Sequence, residues 1–149
     1  MKWIDLPPIW LAACLLLAWL CGTDTAILGA AFQRGFGLVF LLVGFGLMGA
    51  AIAQMFHHRT TVVPHMNAST LVTNGVFRIS RNPIYLADAL ILTGCILRWN
   101  AYLAIPLVPL FMYIILVRHI RPEEARLRSG FGETFDLYCA TTCRWLCLR

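Results

Sequence analysis

Two long uncharged stretches constrain the fold of this chain more than any other feature. Residues 6–22 and 35–56 carry no formal charge, and a helix of about 20 apolar residues crosses the ~30 Å hydrocarbon core of a bilayer. Because 60% of the 149 residues are hydrophobic and only 13% are charged, the chain has more apolar surface than one soluble core would hide. The sequence therefore predicts an all-α integral membrane helical bundle.

Two further stretches complete about four transmembrane helices in a single domain, residues 1–149. Residues 99–117 are uncharged, and Pro106 and Pro109 are expected to bend this span. Residues 83–97 are shorter and contain Asp88, so whether this helix crosses fully stays open. We expect Asp88 to support the fold near the interface, hydrated or paired with Arg81, and not to act as a catalyst. A C-terminal helix is expected at the membrane surface.

The basic residues divide unevenly between the two sides of such a bundle. If four helices cross, Arg34 and Arg98 face one side, and all the other Lys and Arg residues face the opposite side. Cytoplasmic loops are enriched in Lys and Arg, so both termini and the segments 57–82 and 118–149 are predicted to be cytoplasmic. The net charge of +5 suits anionic membrane lipids. No nucleic-acid partner is expected, because no basic stripe alternates with exposed aromatic residues.

Cysteine placement predicts neither disulfides nor a metal site. Five of the six cysteines lie in a span or in a segment predicted to be cytoplasmic, where thiols stay reduced. Cys139, Cys143 and Cys147 recur every four residues and would line one face of a terminal helix. With no fourth ligand nearby, we interpret this row as a packing surface.

The first cytoplasmic segment has clear signals of local structure. Asn74-Gly75 is typical of a turn, and Asn82-Pro83 is typical of a helix start, with Asn as the cap and Pro at the first helical position. Arg81, beside this helix entry, could simply contact a lipid phosphate. These residues by themselves do not indicate a reaction.

The second cytoplasmic segment combines acids and bases around a proline. Pro122 is expected to end the last span and to start a new helix. Glu123 and Glu124 would lie in the first turn of that helix, where the macrodipole favours acids. One interpretation is a capped surface helix. The other is a site that binds a cationic ligand at the acids and an anionic one at neighbouring arginines.

Three motifs in order resemble a known family of membrane enzymes. They are Thr-Leu-Val-Thr-Asn-Gly-Val-Phe at residues 70–77, Arg-Asn-Pro-Ile-Tyr at residues 81–85, and Glu123-Glu124 followed by Phe131-Gly132 and Tyr138. Together they resemble isoprenylcysteine carboxyl methyltransferases and the related phospholipid methyltransferases. The resemblance covers roughly residues 69–145. The amino-terminal spans match only in hydropathy.

The resemblance implies methyl transfer from S-adenosylmethionine to a lipophilic or lipidated substrate in the membrane. Three residues would position the acceptor: Arg118, His119 and Arg121. The cofactor-binding residues that it implies are Ser69, Thr70, Leu71, Val72, Phe77, Asn82, Pro83, Ile84, Tyr85, Glu123 and Glu124. This chain has Asn82 where the family usually has His and Phe77 where it usually has Tyr, so polar contacts at those two positions are expected to differ.

The acceptor and the reaction class stay open at the level of sequence. The resemblance favours a carboxylate acceptor, which can attack a sulfonium methyl group directly when it is aligned and desolvated. A phospholipid amine would first have to lose a proton, and histidines are the candidate bases. The alternatives are an NADPH-dependent sterol-type reductase, which shares an Arg-X-Pro-X-Tyr helix entry, and a non-catalytic membrane protein. The oligomeric state is not predicted.

Overall fold

The computed structural model describes residues 6–23, 29–58 and 71–146. Helices are the only regular structure in those ranges, which confirms the all-α prediction for them. Two 3-10 turns, Gly75–Arg78 and Tyr102–Ala104, and a π-helical segment, Leu116–Ile120, connect the α-helices. The α-helices of the described residues are α1 (Pro7–Leu20), α2 (Ala30–His57), α3 (Pro83–Arg98), α4 (Leu107–Ile115), α5 (Arg121–Phe131) and α6 (Glu133–Thr141).

Among the described residues, two helical stretches are long and apolar enough to cross a membrane, Ala31–His57 and Tyr102–Phe131. Only 17% and 28% of their most apolar windows are buried inside the molecule, so most of these apolar side chains face outward, which suits lipid. Helices α1 and α3 have 14 and 16 residues. At ~1.5 Å per residue they reach about 21 and 24 Å, less than a ~30 Å hydrocarbon core. Four full crossings therefore stay a prediction.

Glycines bring α2 and α3 into close contact. A Cβ atom on Gly37 would lie 2.9 Å from the Gly94 carbonyl oxygen, and a Cβ atom on Gly44 would lie 3.1 Å from the Ala87 carbonyl oxygen. The later residue of α2 thus contacts the earlier residue of α3, so the two helices are antiparallel. Small residues at these positions let the backbones approach closely, as is common between membrane helices.

Polar contacts join one end of the bundle, where α3 turns into α4. Asn100 has φ of 53° in this turn, and α3 and α4 pack against each other as a helical hairpin. Gln33 of α2 is buried and donates from Nε2 to the Leu97 carbonyl and to the Asn100 side-chain oxygen, each at 2.9 Å. Thr23, just after α1, donates its N–H to the Trp99 carbonyl at 3.1 Å.

The segments before α3 and after α4 lie together at the opposite end of the bundle. Val76 donates its N–H to Gln54 Oε1 near the end of α2 at 3.2 Å. The Tyr138 hydroxyl of α6 donates to the Phe77 carbonyl at 2.6 Å. The two segments in which the sequence predicts functional residues therefore contact each other.

The prolines of the last span lie near helix starts. Pro106 occupies the N-cap of α4, and Pro109 lies in its first turn. Helix α4 begins at Leu107 and not at residue 99 as expected, and both prolines are tolerated because the first turn does not need the N–H group that proline lacks. Pro122 lies in the first turn of α5, the helix that it is predicted to start, but it does not end the helix before it. The π-helical segment Leu116–Ile120 joins α4 directly to α5 and takes up the local disruption.

The cysteine row does not lie on one helix. Helix α6 ends at Thr141, and Thr142 is extended, with φ of −129° and ψ of 131°. This extended residue carries Cys143 away from the face on which Cys139 lies, while Cys147 is outside the described residues. Cys143 is disulfide-bonded and Cys139 is a free thiol. The expectation that no cysteine forms a disulfide is therefore wrong at Cys143.

Candidate active site

A cavity of about 250 Å³ lies at the end of the bundle where the two segments meet. It is bordered by the start of α1, the second half of α2, the Gly75–Arg78 turn, the first turns of α3 and the first turn of α5. Six of its residues belong to the cofactor set implied by the resemblance. The lining residues are Pro7, Pro8, Met48, Met55, Phe77, Arg81, Asn82, Pro83, Ile84, Tyr85, Asp88 and Glu123.

The entry of α3 is held by contacts that differ from the predicted cap. Pro83 takes the first helical position as predicted. Asn82 occupies the N-cap, but its side chain makes no capping hydrogen bond; its Nδ2 donates to the Arg144 carbonyl at 3.0 Å. The Asn82 N–H instead donates to Oγ of the buried Ser80 at 3.1 Å. Asn82 is therefore at the N-cap position as predicted, but its side chain bonds a partner 62 residues away in sequence and does not cap the helix.

Glu123 and Tyr85 form the polar wall of the cavity. The Tyr85 hydroxyl donates to Glu123 Oε2 at 3.4 Å. Glu123 lies in α5, the polar helix beyond the apolar part of the last span. Burial raises the pKa of the Glu123 carboxyl, against the opposing effects of the Arg126 charge and the Tyr85 hydrogen bond. Such a carboxylate gains more from a cationic ligand than an exposed one would.

Glu124 does not line the cavity and is engaged by two arginines. Arg144 donates from Nε to Glu124 Oε1 at 2.9 Å and from Nη2 to Oε2 at 2.6 Å. Arg81 Nη2 lies 3.4 Å from Glu124 Oε1. The side chains of Arg81 and Glu124 are 12% and 14% exposed, so this cluster is shielded from water. The two adjacent acids thus have different surroundings.

Arg81 and Asp88 line the cavity, although neither is in the residue sets that the resemblance implied. The Arg81 Nε atom is buried, and among the described residues it has no hydrogen-bond partner. Asp88 is buried, and the expected pair between it and Arg81 is replaced by the pair between Arg81 and Glu124. The spacing of Asp88 from Tyr85 could have indicated this placement, because residues three apart on a helix share a face.

The predicted acceptor residues lie outside the cavity lining. The Arg118 guanidinium carbon is 5.1 Å from the centre of the Trp10 ring, and Arg121 is exposed. His119 is buried, and its ring centre lies 6.4 Å from that of Tyr85. The structure therefore places His119 in contact with the cavity wall and both arginines at the surface of the helix.

The implied cofactor residues before α3 have mixed placements. Val72 and Phe77 are buried in a small apolar cluster with Ala51 of α2, and Leu71 is half-buried. Of these, Phe77 reaches the cavity. Two residues of the implied set lie outside the described residues: Ser69 and Thr70.

Contacts from α2 and α6 fix the turn that carries Phe77. The turn predicted at Asn74-Gly75 is present, with φ of 54° at Gly75, and Gln54 Nε2 donates to Asn74 Oδ1 at 2.5 Å. The Tyr138 hydroxyl donates to the Phe77 carbonyl. Burial raises the pKa of the Tyr138 phenol, so it stays a neutral donor across the physiological range.

The cavity combines groups for both signs of charge with apolar walls. Asp88 and Glu123 can bind cations, Arg81 can bind an anion, and Met48 and Met55 add apolar surface. This combination suits two ligands, one that carries both a positive and a negative charge and one that is apolar. Within the described ranges, no three His, Cys, Asp or Glu side chains are grouped to hold a metal ion.

A family model described as phospholipid methyltransferase matches residues 32–134, which is more than half of the chain. The match contains every cavity residue except those of α1, and it ends before Arg144. No curated protein and no solved structure gives a significant match. The sequence resemblance named two related families, and the match is to the phospholipid methyltransferases. The assignment to the isoprenylcysteine carboxyl methyltransferases is not confirmed.

Proposed function

Because the chain belongs to the phospholipid methyltransferase family, we propose that it transfers a methyl group from S-adenosylmethionine to a lipophilic acceptor in the membrane. The observation that carries this proposal is the convergence of six implied cofactor residues on one cavity. The family favours a membrane methyltransferase over an NADPH-dependent reductase or a non-catalytic protein. No comparable match supports either alternative.

The charged groups of the cavity fit the amino-acid end of the cofactor. Glu123, with the Tyr85 hydroxyl beside it, would accept hydrogen bonds from the ammonium group. The Arg81 guanidinium, which lines the cavity, would pair with the carboxylate.

The cofactor supplies a methyl group that is already activated on a sulfonium, so no protein nucleophile is needed. The residues of the chain would align the acceptor and exclude water. The cavity of about 250 Å³ is smaller than the ~300–1,000 Å³ of most ligand pockets. It would therefore enclose the reacting groups, with the remainder of each ligand extending beyond it.

The charges around the cavity favour an amine acceptor on a phospholipid over a carboxylate. Asp88 lies in the lining, where it would attract an ammonium headgroup and accept the proton that the nitrogen must lose before it attacks. A carboxylate acceptor would need a cation there. Arg118 and Arg121, to which the resemblance gave that role, do not line the cavity.

The acceptor would enter between α1 and α2. Helix α1 packs mainly against α3 and α4, which leaves a gap between α1 and α2. The residues of these two helices that line the cavity are all apolar: Pro7, Pro8, Met48 and Met55. A lipid headgroup could reach Asp88 there while its chains stay in the bilayer. From the distribution of basic residues, we expect this end of the bundle to be cytoplasmic.

Two measurements on the full chain in detergent test the proposal. Isothermal titration is expected to detect binding of S-adenosylhomocysteine, the demethylated product, and no binding of NADPH. Radiolabelled S-adenosylmethionine is then offered with phosphatidylethanolamine or with a prenylated cysteine. Label in the phospholipid supports the amine acceptor, and label in the prenylcysteine overturns it in favour of a carboxylate. Binding of NADPH without S-adenosylhomocysteine would refute methyl transfer.

A further inference from the structure

We propose that Arg144 is a positioning residue that holds Glu124 and thereby keeps Arg81 available to an anionic ligand group. The inference rests on the proposed function, because the ligand group in question is the carboxylate of the cofactor. Arg144 lies ten residues beyond the last residue of the family match. It is therefore a feature of this chain that the family match does not include.

Arg144 pairs more closely with Glu124 than Arg81 does. It contacts both oxygens of Glu124, at 2.9 and 2.6 Å, in the bidentate geometry that gives the strongest charge-assisted pairs. Arg81 reaches only one oxygen, at 3.4 Å. Its Nη1 contacts Cys139 Sγ, and its Nε has no hydrogen-bond partner among the described residues.

Loss of Arg144 would change the pairing of Arg81. Glu124 is only 14% exposed, and a shielded carboxylate without its counter-ion is strongly unfavourable. Arg81 already lies within ion-pair distance of Glu124, so Glu124 would draw the Arg81 guanidinium into a full pair. The positive charge that faces the cavity would then be neutralised.

The backbone of the C-terminal segment provides an attachment that does not depend on the Arg144 side chain. The Arg144 carbonyl accepts hydrogen bonds from Ser80 Oγ at 3.3 Å and from Asn82 Nδ2 at 3.0 Å. The Arg81 N–H donates to the Cys143 carbonyl at 3.0 Å. A side-chain substitution at residue 144 leaves these carbonyls in place, so it tests the ion pair separately from the docking of the segment.

The test compares two ligands by isothermal titration of the full chain in detergent. S-adenosylhomocysteine carries the carboxylate, and its decarboxylated analogue lacks only that group. Arg144→Ala is expected to weaken S-adenosylhomocysteine binding by about tenfold, the scale of one charge-assisted contact. Binding of the decarboxylated analogue should change by less than about twofold on the same scale. Arg144→Lys, which restores a charge without the bidentate fork, should recover part of the loss.

A second substitution provides the matched control. In Arg144→Ala combined with Glu124→Gln, no carboxylate remains to capture Arg81, so affinity for S-adenosylhomocysteine should return to within about threefold of the parent value. A merely structural role of Arg144 predicts the opposite, a further loss for both ligands. Thermal unfolding of each variant shows whether it is folded.

The outcomes separate the inference from the proposed function. If the parent chain does not bind S-adenosylhomocysteine, the proposed function is refuted and the inference with it. If the parent binds and Arg144→Ala binds equally well, or loses both ligands equally, the inference alone is overturned. Failure of the double substitution to restore affinity overturns it as well.

Discussion

Glu123→Gln separates a ligand-binding carboxylate from an acid that merely stabilises a helix start. The substitution keeps the size of the side chain and its contact with the Tyr85 hydroxyl but removes the charge that faces the cavity. In this half-buried position, one charge-assisted hydrogen bond to an ammonium group contributes about 1.5–3 kcal/mol. Affinity for S-adenosylhomocysteine should therefore fall by roughly ten- to a hundredfold.

Titration calorimetry of the detergent-purified chain measures this change, and Glu133→Gln provides the control. Glu133 also lies in the first turn of a helix, α6, but it is exposed and outside the cavity lining. Loss of a favourable macrodipole interaction there costs about 0.3–1 kcal/mol of stability without changing affinity. If Glu123→Gln binds S-adenosylhomocysteine as tightly as the parent chain does, the acid is only part of the helix start and the site assignment fails.

The pH dependence of binding gives a second measure of the same residue. Because burial raises the pKa of the Glu123 carboxyl, protonation begins at a higher pH than for an ordinary glutamate, and the protonated form does not attract an ammonium group. Affinity should therefore decrease as the pH falls through the raised pKa, while the ligand ammonium stays charged. Glu123→Gln should abolish this decrease, and persistence of the same profile would assign it to another group.

Three further predictions follow from other parts of the structure. Asp88→Asn should reduce methylation of an amine by about a hundredfold or more while leaving S-adenosylhomocysteine affinity unchanged; normal turnover would exclude Asp88 as proton acceptor. Gly94→Ala should lower the free energy of unfolding by about 1–3 kcal/mol in a thermal unfolding measurement, because its Cβ would lie 2.8 Å from the Gly37 carbonyl oxygen. Gly46→Ala, where a Cβ would enter open space, should leave the stability unchanged. A reporter fused after Arg149 should report the cytoplasm, and a signal from the opposite side would contradict the topology.

Much of the helical framework could be predicted because charge-free stretches are a local property of the sequence. The predicted span 35–56 lies within α2, and the predicted starts of α1 and α3 lie within one residue of the observed starts. The last span was less predictable. Pro109 satisfies the rules for a bend and also those for a first turn, and only the packing of the hairpin decides between them. Gln33, which ties α2 to that hairpin, gave no local signal.

The site was predictable where residues are close in sequence and unpredictable where distant segments meet. The motif containing Tyr85 and the acid Glu123 gave separate local signals, and the structure brings both side chains to one cavity. Arg144 gave no signal, because its partners Glu124 and Asn82 are 20 and 62 residues away. Asn82 has the sequence signature of a helix cap, but the competing long-range acceptor overrides that local preference.

The division of roles between the two adjacent acids follows from helix geometry. Successive residues in an α-helix point about 100° apart, so Glu123 and Glu124 cannot both face one small cavity. The acid turned away from the cavity is still shielded from water and needs a cation of its own. Arg81 alone would satisfy Glu124 only by giving up its own role in the cavity. A second arginine from the C-terminal segment resolves this conflict, so the Glu-Glu pair and Arg144 should act as one unit in any substitution series.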